Sequence, residues 1–206
     1  ANSDVLAPLR DLGASVASCH PMRSFSSATI SHSQFLGTKC ALEGDRNALT
    51  VMSTLLEELG AHFFLIDKEK KVLYHAAGVM ASNYMVALAE AAEQSLQAAG
   101  ISDRALQKAI VSSLMEGTLD NYRRTNSTTE ALTGPVARGD GKTIEKHQQA
   151  ISEELPNVCG LYRTLANFLL ANVATLPEGK KEELTALLQQ TVATSTEEEV
   201  FTAMSP

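Results

Sequence analysis

KCALEGDRNALTVMSTLLEELGAHFFLI, residues 39–66, sets the architecture of the chain. Its first five residues, Lys39 to Glu43, have the composition of a short strand. Asp45 stands where a helix N-cap belongs, and Leu49, Met52, Leu55, Leu56 and Leu59 recur with helical spacing over Arg46 to Leu59. Gly60 stops that helix, and His62 to Ile66 reads as a second strand. Strand, helix and strand in succession predict an α/β layer with a partly parallel sheet. Upstream, Asp4 to Leu12 reads as a short amphipathic helix closed by Gly13, and Ala14 to Ser18 as a strand. Pro21 lacks an N–H and pushes His20 toward an extended conformation, so that strand is expected to end at Cys19 or His20. The polar stretch Ser24 to Ser33 reads as a loop.

Beyond residue 67 the pattern turns wholly helical. From Lys71 to Ala99 no proline intervenes and Ala and Leu dominate, which predicts one long helix, apolar nearly all round and therefore buried in a bundle or a dimer interface. Ser102 is placed to cap a helix reaching about Tyr122, and Asn126 to Thr129 is a break. Leu132 to Asp140 reads as a Gly- and Pro-rich loop, with Asp140 capping a helix over Gly141 to Glu154. Helices over Val158 to Leu176 and Glu178 to Gln190 follow. The expected organisation is an α/β part at 1–67, a helical part at 68–190 and a frayed tail at 191–206.

A sheet of two or three strands covers little core, because sheets average about five strands. The α/β part is thus expected to be the end of a larger sheet domain. Composition adds exclusions. The 206 residues carry 17 Lys and Arg against 24 Asp and Glu, a formal charge of -7, and no basic cluster, so nucleic acid and anionic membranes are not expected partners. No apolar run approaches the roughly 20 residues of a membrane span, and no secretion signal is visible. Three cysteines, an odd number without a C-x-x-C pair, fit a reducing cytoplasm. Metal-ligand spacing is absent among Cys19, His20, Cys40, His147 and Cys159.

Several motifs occur in a fixed order: Asp4-x-Leu6-x-Pro8-Leu9-Arg10, His20-Pro21-Met22-x-Ser24-Phe25, Leu42-Glu43-Gly44-Asp45, Tyr74-His75-Ala76-Ala77, Ala81-Ser82-Asn83-Tyr84 and Leu132-Thr133-Gly134-Pro135-x-x-Arg138-Gly139-Asp140. In this order the chain resembles a bacterial family of Rossmann-like oxidoreductases with a helical C-terminal domain of unknown function. That family is similar to ketopantoate reductase, pyrroline-5-carboxylate reductase and prephenate dehydrogenase. The resemblance covers about residues 3 to 175. It implies a mainly α chain with a small α/β N-terminal part, the end of a Rossmann-like sheet, followed by a helical bundle of the 6-phosphogluconate-dehydrogenase C-terminal type. It also implies NADP or NAD as cofactor, bound mainly by a domain this chain lacks, since the G-x-G-x-x-G fingerprint is absent from the sequence.

Candidate residues follow from position. His20 and Pro21 lie at the carboxyl end of a strand, where open α/β sheets bind ligands, and are candidates to touch the cofactor. The alternative is a turn whose histidine satisfies the loop backbone. His75 and Ser82 are seven residues apart and point within about 20° of one another on a helix, with Asn83 on a neighbouring face. Polar groups on an apolar helix are costly unless paired or functional. The related dehydrogenases carry Lys and Asn four residues apart here. This chain has Val79 four before Asn83, so only Asn83 matches. His75 and Asn83 are the catalytic candidates, His75 for proton transfer, with Ser82 on the substrate side. A core histidine and asparagine tying helices together is the alternative. Thr133, Arg138 and Asp140 are substrate-binding candidates, Arg138 as a clamp for a carboxylate or phosphate. The alternative is a capping Asp140 beside a solvated Arg138. Gly141-Lys142-Thr143 is not a phosphate loop, because Val136 stands where the first glycine belongs.

The expected function is the substrate-binding and dimerising part of an NAD(P)-dependent oxidoreductase acting on a small anionic keto- or imino-type substrate. A helical ligand-binding or assembly module without hydride transfer is the alternative. The apolar 71–99 helix predicts a homodimer.

Overall fold

A computed structural model of the chain describes residues 2–24, 33 and 35–190. Residues 25–32, which carry most of the expected polar loop, and the expected frayed tail at 191–206 lie outside the described residues. Residues 1–87 and 88–206 form two compact units, and the division falls within a helix.

The first unit is built on a three-stranded sheet. A 3-10 turn, Ser3–Leu6, leads into α1 (Ala7–Asp11), β1 (Ala17–Met22), β2 (Lys39–Gly44), α2 (Arg46–Glu58) and β3 (His62–Leu65). The strand order is β1-β2-β3. β2 and β3 run parallel, joined through α2, and β1 runs antiparallel to β2. Cys40 and Leu42 pack with Leu56 and Ala61 to form the core under α2. Side chains alternate across a strand, so the register places Ser18, His20 and Met22 of β1 with Glu43, Ala41 and Lys39 of β2 on the opposite face. That face is met by α3 (Lys71–Ala81), which follows a 3-10 turn at Lys68–Lys70. All four residues of β3, an outer strand, are exposed.

β1 continues through Pro21 to Met22, past the expected stop at Cys19 or His20. An outer strand tolerates proline, because its missing N–H can face away from the ladder. Asp45 precedes α2 but does not cap it. Its carboxylate instead accepts the Val16 N–H at 2.8 Å and an Arg10 N–H at 3.1 Å, tying α1 to the start of α2. The expected single helix at 71–99 is two, α3 and α4 (Asn83–Ala98). Ser82 leaves helical geometry at φ -128°, ψ -64°. Its Oγ lies 2.7 Å from the Gly78 carbonyl and 3.0 Å from Asn83 Oδ1, so local side-chain hydrogen bonding competes with the helix. The expected burial on most faces is also corrected: Val72, Leu73, Met80 and Val86 are exposed. Within the stretch Lys68–Ala98 an 18-residue window reaches a mean hydropathy of 1.2, enough to cross a membrane by length and composition alone. That corrects the reading that no stretch approaches span length. Its many alanines raise the mean, although Ser82 breaks it and Lys71 and His75 face the sheet.

The second unit contains α5 (Arg104–Arg124), α6 (Thr128–Ala131), α7 (Gly134–Arg138), α8 (Gly141–Glu154), α9 (Pro156–Asn172) and α10 (Glu178–Gln189). Asp103, not Ser102, caps α5, accepting the Ala105 N–H at 2.8 Å. Ser127 caps α6, its hydroxyl accepting the Glu130 N–H at 3.2 Å, while the Glu130 carboxylate accepts the Asn126 N–H at 3.1 Å. The expected loop over Leu132 to Asp140 is mostly the one-turn helix α7, started by Pro135 and ended by Gly139 in the left-handed region at φ 67°. Val136, Ile144, Ala166, Leu170, Leu184 and Leu188 from α7 to α10 form the core of this unit. The chain is thus mainly α with a small α/β part at its N-terminus.

Candidate functional site

The polar face of the sheet and α3 meet along a matched series of side chains. On β1, Ser18, His20 and Met22 recur at the strand period of two. On α3, Lys71, His75 and Gly78 recur at the helix period. Each pair meets. Lys71 Nζ donates to Ser18 Oγ. The His20 and His75 rings lie 5.2 Å apart between centroids. A Cβ on Gly78 would lie 2.5 Å from Met22 Sδ, so glycine lets the strand end and the helix approach.

Beneath the imidazoles is a buried ion pair that sequence reading missed. Lys71 and Glu43 are each 5% exposed, and Nζ donates to Glu43 Oε1 at 3.1 Å. The Ser3 N–H and hydroxyl add donors to the same carboxylate at 2.8 and 2.6 Å. Burial pushes the Glu43 carboxyl up, but the bonds from Ser3 and Lys71 outweigh it and hold it below its ordinary value. The signal in the sequence was Glu43 itself, an acid inside a central strand, which demands a partner. Nothing local pointed to Lys71, 28 residues away within a run of solvated charges.

Above this pair, His20 is half-buried. Desolvation, then the neighbouring His75 and Lys71, lower its pKa below the ordinary imidazole value. It is therefore neutral at pH 7 and can both donate and accept. Tyr74 packs edge-on against His20 at 5.5 Å and against Phe64 at 5.8 Å, and its hydroxyl donates to the His20 carbonyl at 3.4 Å. A cleft of about 440 Å³ opens beside the two histidines. Its walls bring together His20, Pro21, His75, Ser82 and Asn83, with Arg23 added from the end of β1. The break at Ser82 makes Asn83 the first residue of α4, where backbone N–H groups lack intrahelical partners. Asn83 Oδ1 faces the Ser82 hydroxyl, which leaves its Nδ2 hydrogens for a ligand.

Thr133, Arg138 and Asp140 belong to the second unit. Thr133 precedes α7 without a side-chain capping bond. Arg138 is exposed in the last turn of α7. Asp140 caps α8, accepting the Thr143 N–H at 3.1 Å and the Thr143 hydroxyl at 2.7 Å, bonds that hold its carboxyl below its ordinary pKa. Both its oxygens are thus engaged locally. Among the described residues no three of His, Cys, Asp and Glu converge on a metal position. Cys19 is kept protonated by burial, with its pKa pushed up to about 11.

The family described as "Domain of unknown function (DUF2520)" matches residues 38–168. The crystal structure of protein TM1727 from Thermotoga maritima is similar at a TM-score of 0.62 and 28% identity, over 85% of this chain. A "putative NADP oxidoreductase", BF3122 from Bacteroides fragilis, shares the fold at a TM-score of 0.60 and 20% identity, over 73% of this chain. The chain spans 63% and 55% of the lengths of these two proteins. No curated protein matches.

A nicotinamide dinucleotide needs a glycine-lined turn from strand to helix to receive its phosphates. The turn from β2 to α2 does not offer one. A Cβ on Gly44 would lie 2.4 Å from the Val16 carbonyl, so that glycine serves the approach of β1. The Asp45 carboxylate already occupies the turn, and it would repel a pyrophosphate. These residues do not fit the phosphates of NADP.

Proposed function

The chain belongs to the DUF2520 family, and on that premise we propose that it is the substrate-handling part of an oxidoreductase acting on a small anionic keto- or imino-type compound. The observation that carries this reading is the cleft in which two imidazoles, a neutral amide and a hydroxyl converge at the carboxyl end of a strand. Convergent polar groups in a cleft are the usual mark of a small-molecule site, and because β1 runs antiparallel to β2 this one lies at the amino end of the parallel β2–β3 pair, not at its carboxyl end as expected. His75 holds and moves a proton at its ring nitrogen toward a substrate oxygen or nitrogen. Asn83 Nδ2 donates to the substrate and orients it. His20, neutral and braced by Tyr74, accepts or donates on the opposite wall, with Pro21 beside it. In this reading NADP or NAD is held mainly by residues other than those of this chain, and would supply the hydride, while His20 would be the residue of this chain that touches it. Thr133 and Arg138 remain candidates for an anion in the second unit.

The proposed molecule is a homodimer, supported by the exposed apolar side chains Val72, Leu73, Met80 and Val86 on α3 and α4. One observation favours the non-catalytic alternative: Lys71, a cation beside the cleft, is neutralised by Glu43.

The test is turnover of NADPH and NADH with small keto acids and cyclic imines, by the chain alone and by the chain joined to a dinucleotide-binding domain. Asn83→Ala and His75→Asn are each expected to lower kcat by about 10² or more, the scale of a lost proton-transfer or orienting group. Turnover that survives both substitutions unchanged would remove the cleft from the chemistry.

A further inference from the structure

We propose that the cleft of the first unit is a carboxylate site and that Arg23 supplies its counter-charge. This deepens the function proposed above and rests on the same cleft, but it is carried by a different residue. The chain has 24 acidic residues and a net charge of -7, yet among the described residues no Asp or Glu lines this cleft. Arg23 stands on its wall one residue beyond β1. Its Nη1 donates to the Thr38 hydroxyl at 3.3 Å, which fixes the guanidinium without neutralising it. Two further cations near the histidines are engaged by carboxylates, Lys68 by Asp4 at 2.9 Å and Lys71 by Glu43, and Lys39, on the same face, is not among the cleft's described lining residues. Arg23 has no ion pair among the described residues, and a guanidinium keeps several further N–H donors after one bond.

A planar fork of N–H groups matches a carboxylate in a two-bond pairing. Asn83 Nδ2 and the His75 ring nitrogen then lie on the α3–α4 wall of the same cleft, as donors to a neighbouring carbonyl or imine group. One unpaired cation among the described lining residues, beside a neutral His20, suits a monoanion better than a phosphate dianion. A volume of about 440 Å³ is at the small end for ligand sites, which favours acids of a few carbons. Arg138, singled out from sequence, belongs to the second unit.

The probes are pyruvate and pyruvamide, equal in shape and unequal in charge. They are titrated into the 206-residue chain at constant ionic strength while the His20 and His75 ring signals are followed by NMR. Pyruvate is expected to bind about tenfold more tightly than pyruvamide, the effect of one charge-assisted pairing partly screened by water. Arg23→Gln is expected to abolish that preference, and Arg23→Lys to keep part of it. Pyruvate binding unchanged in Arg23→Gln would overturn the assignment while leaving the cleft as the substrate site. An Arg23-dependent preference for pyruvate, with turnover indifferent to Asn83→Ala and His75→Asn, would uphold the carboxylate site and sink the proposed function. Failure of both probes to move either histidine signal would overturn both.

Discussion

Glu43 and Lys71 show how much one residue can demand of the rest. A carboxylate in the middle of a sheet survives only because Ser3, from the first turn of the chain, and Lys71, from the start of α3, reach it. Removing one charge leaves the other buried and uncompensated, which costs about 3–5 kcal/mol. Glu43→Gln is expected to lower stability on that scale in urea unfolding. The pair replacement Glu43→Leu with Lys71→Met should lie closer to the parent than either single variant, because apolar packing can stand in for a buried ion pair. His20 makes the second prediction. Its folded pKa is lowered, so the unfolded chain binds a proton more readily. Its contribution to stability is therefore present above the ordinary imidazole pKa of about 6.5 and is lost as pH falls through the folded value. His20→Gln should flatten the fall in Tm between pH 7 and 5. The carboxylates with lowered pKa, Asp4, Glu43, Asp45 and Asp140, act only below that window. His20, His75, Ser82 and Asn83 were legible as candidates because polar groups stand out on apolar elements. Arg23 was not, because an arginine at the edge of a polar loop looks solvated until the cleft is seen.

Elements were legible where periodicity is strong and opaque where a single contact overrides it. The β2–α2–β3 unit follows directly from alternation and helical spacing, and its observed bounds differ from the expected ones by a residue or so. The division between α3 and α4 carried no proline or glycine to announce it, only a serine that bonds its own backbone and the next side chain. Asp140 behaved as its position in the sequence suggests, and Asp45 did not, since Val16 and Arg10 reach it first. Asp140→Ala should therefore cost about 1 kcal/mol by thermal melting, the usual loss of a cap. Asp45→Ala should also destabilise, but through the separation of α1 and β1 from α2 rather than through helix capping, so amide exchange is expected to rise at Val16.

For the whole molecule, the tertiary pairing of a strand face with a helix face lay beyond sequence reading, because each partner chooses among many. The apolar side chains left outside on α3 and α4 give the prediction at this scale. A stable dimer buries roughly 800 Å² per partner, and Leu73 and Met80, 69% and 63% exposed, would contribute to such a face. Sedimentation at micromolar concentration is expected to give a dimer mass, and Leu73→Lys with Met80→Lys a monomer. A monomer in the parent chain would refute the proposed assembly. The outer strand β3 has a practical consequence of its own. Phe63, Phe64 and Leu65 expose 36%, 41% and 66% of their surface on a strand whose far side has no neighbouring strand among the described residues. Unpaired edges with apolar side chains template their own stacking. The chain's solubility ceiling should therefore be set by these few residues, and Leu65→Lys should let it be concentrated further before light scattering rises.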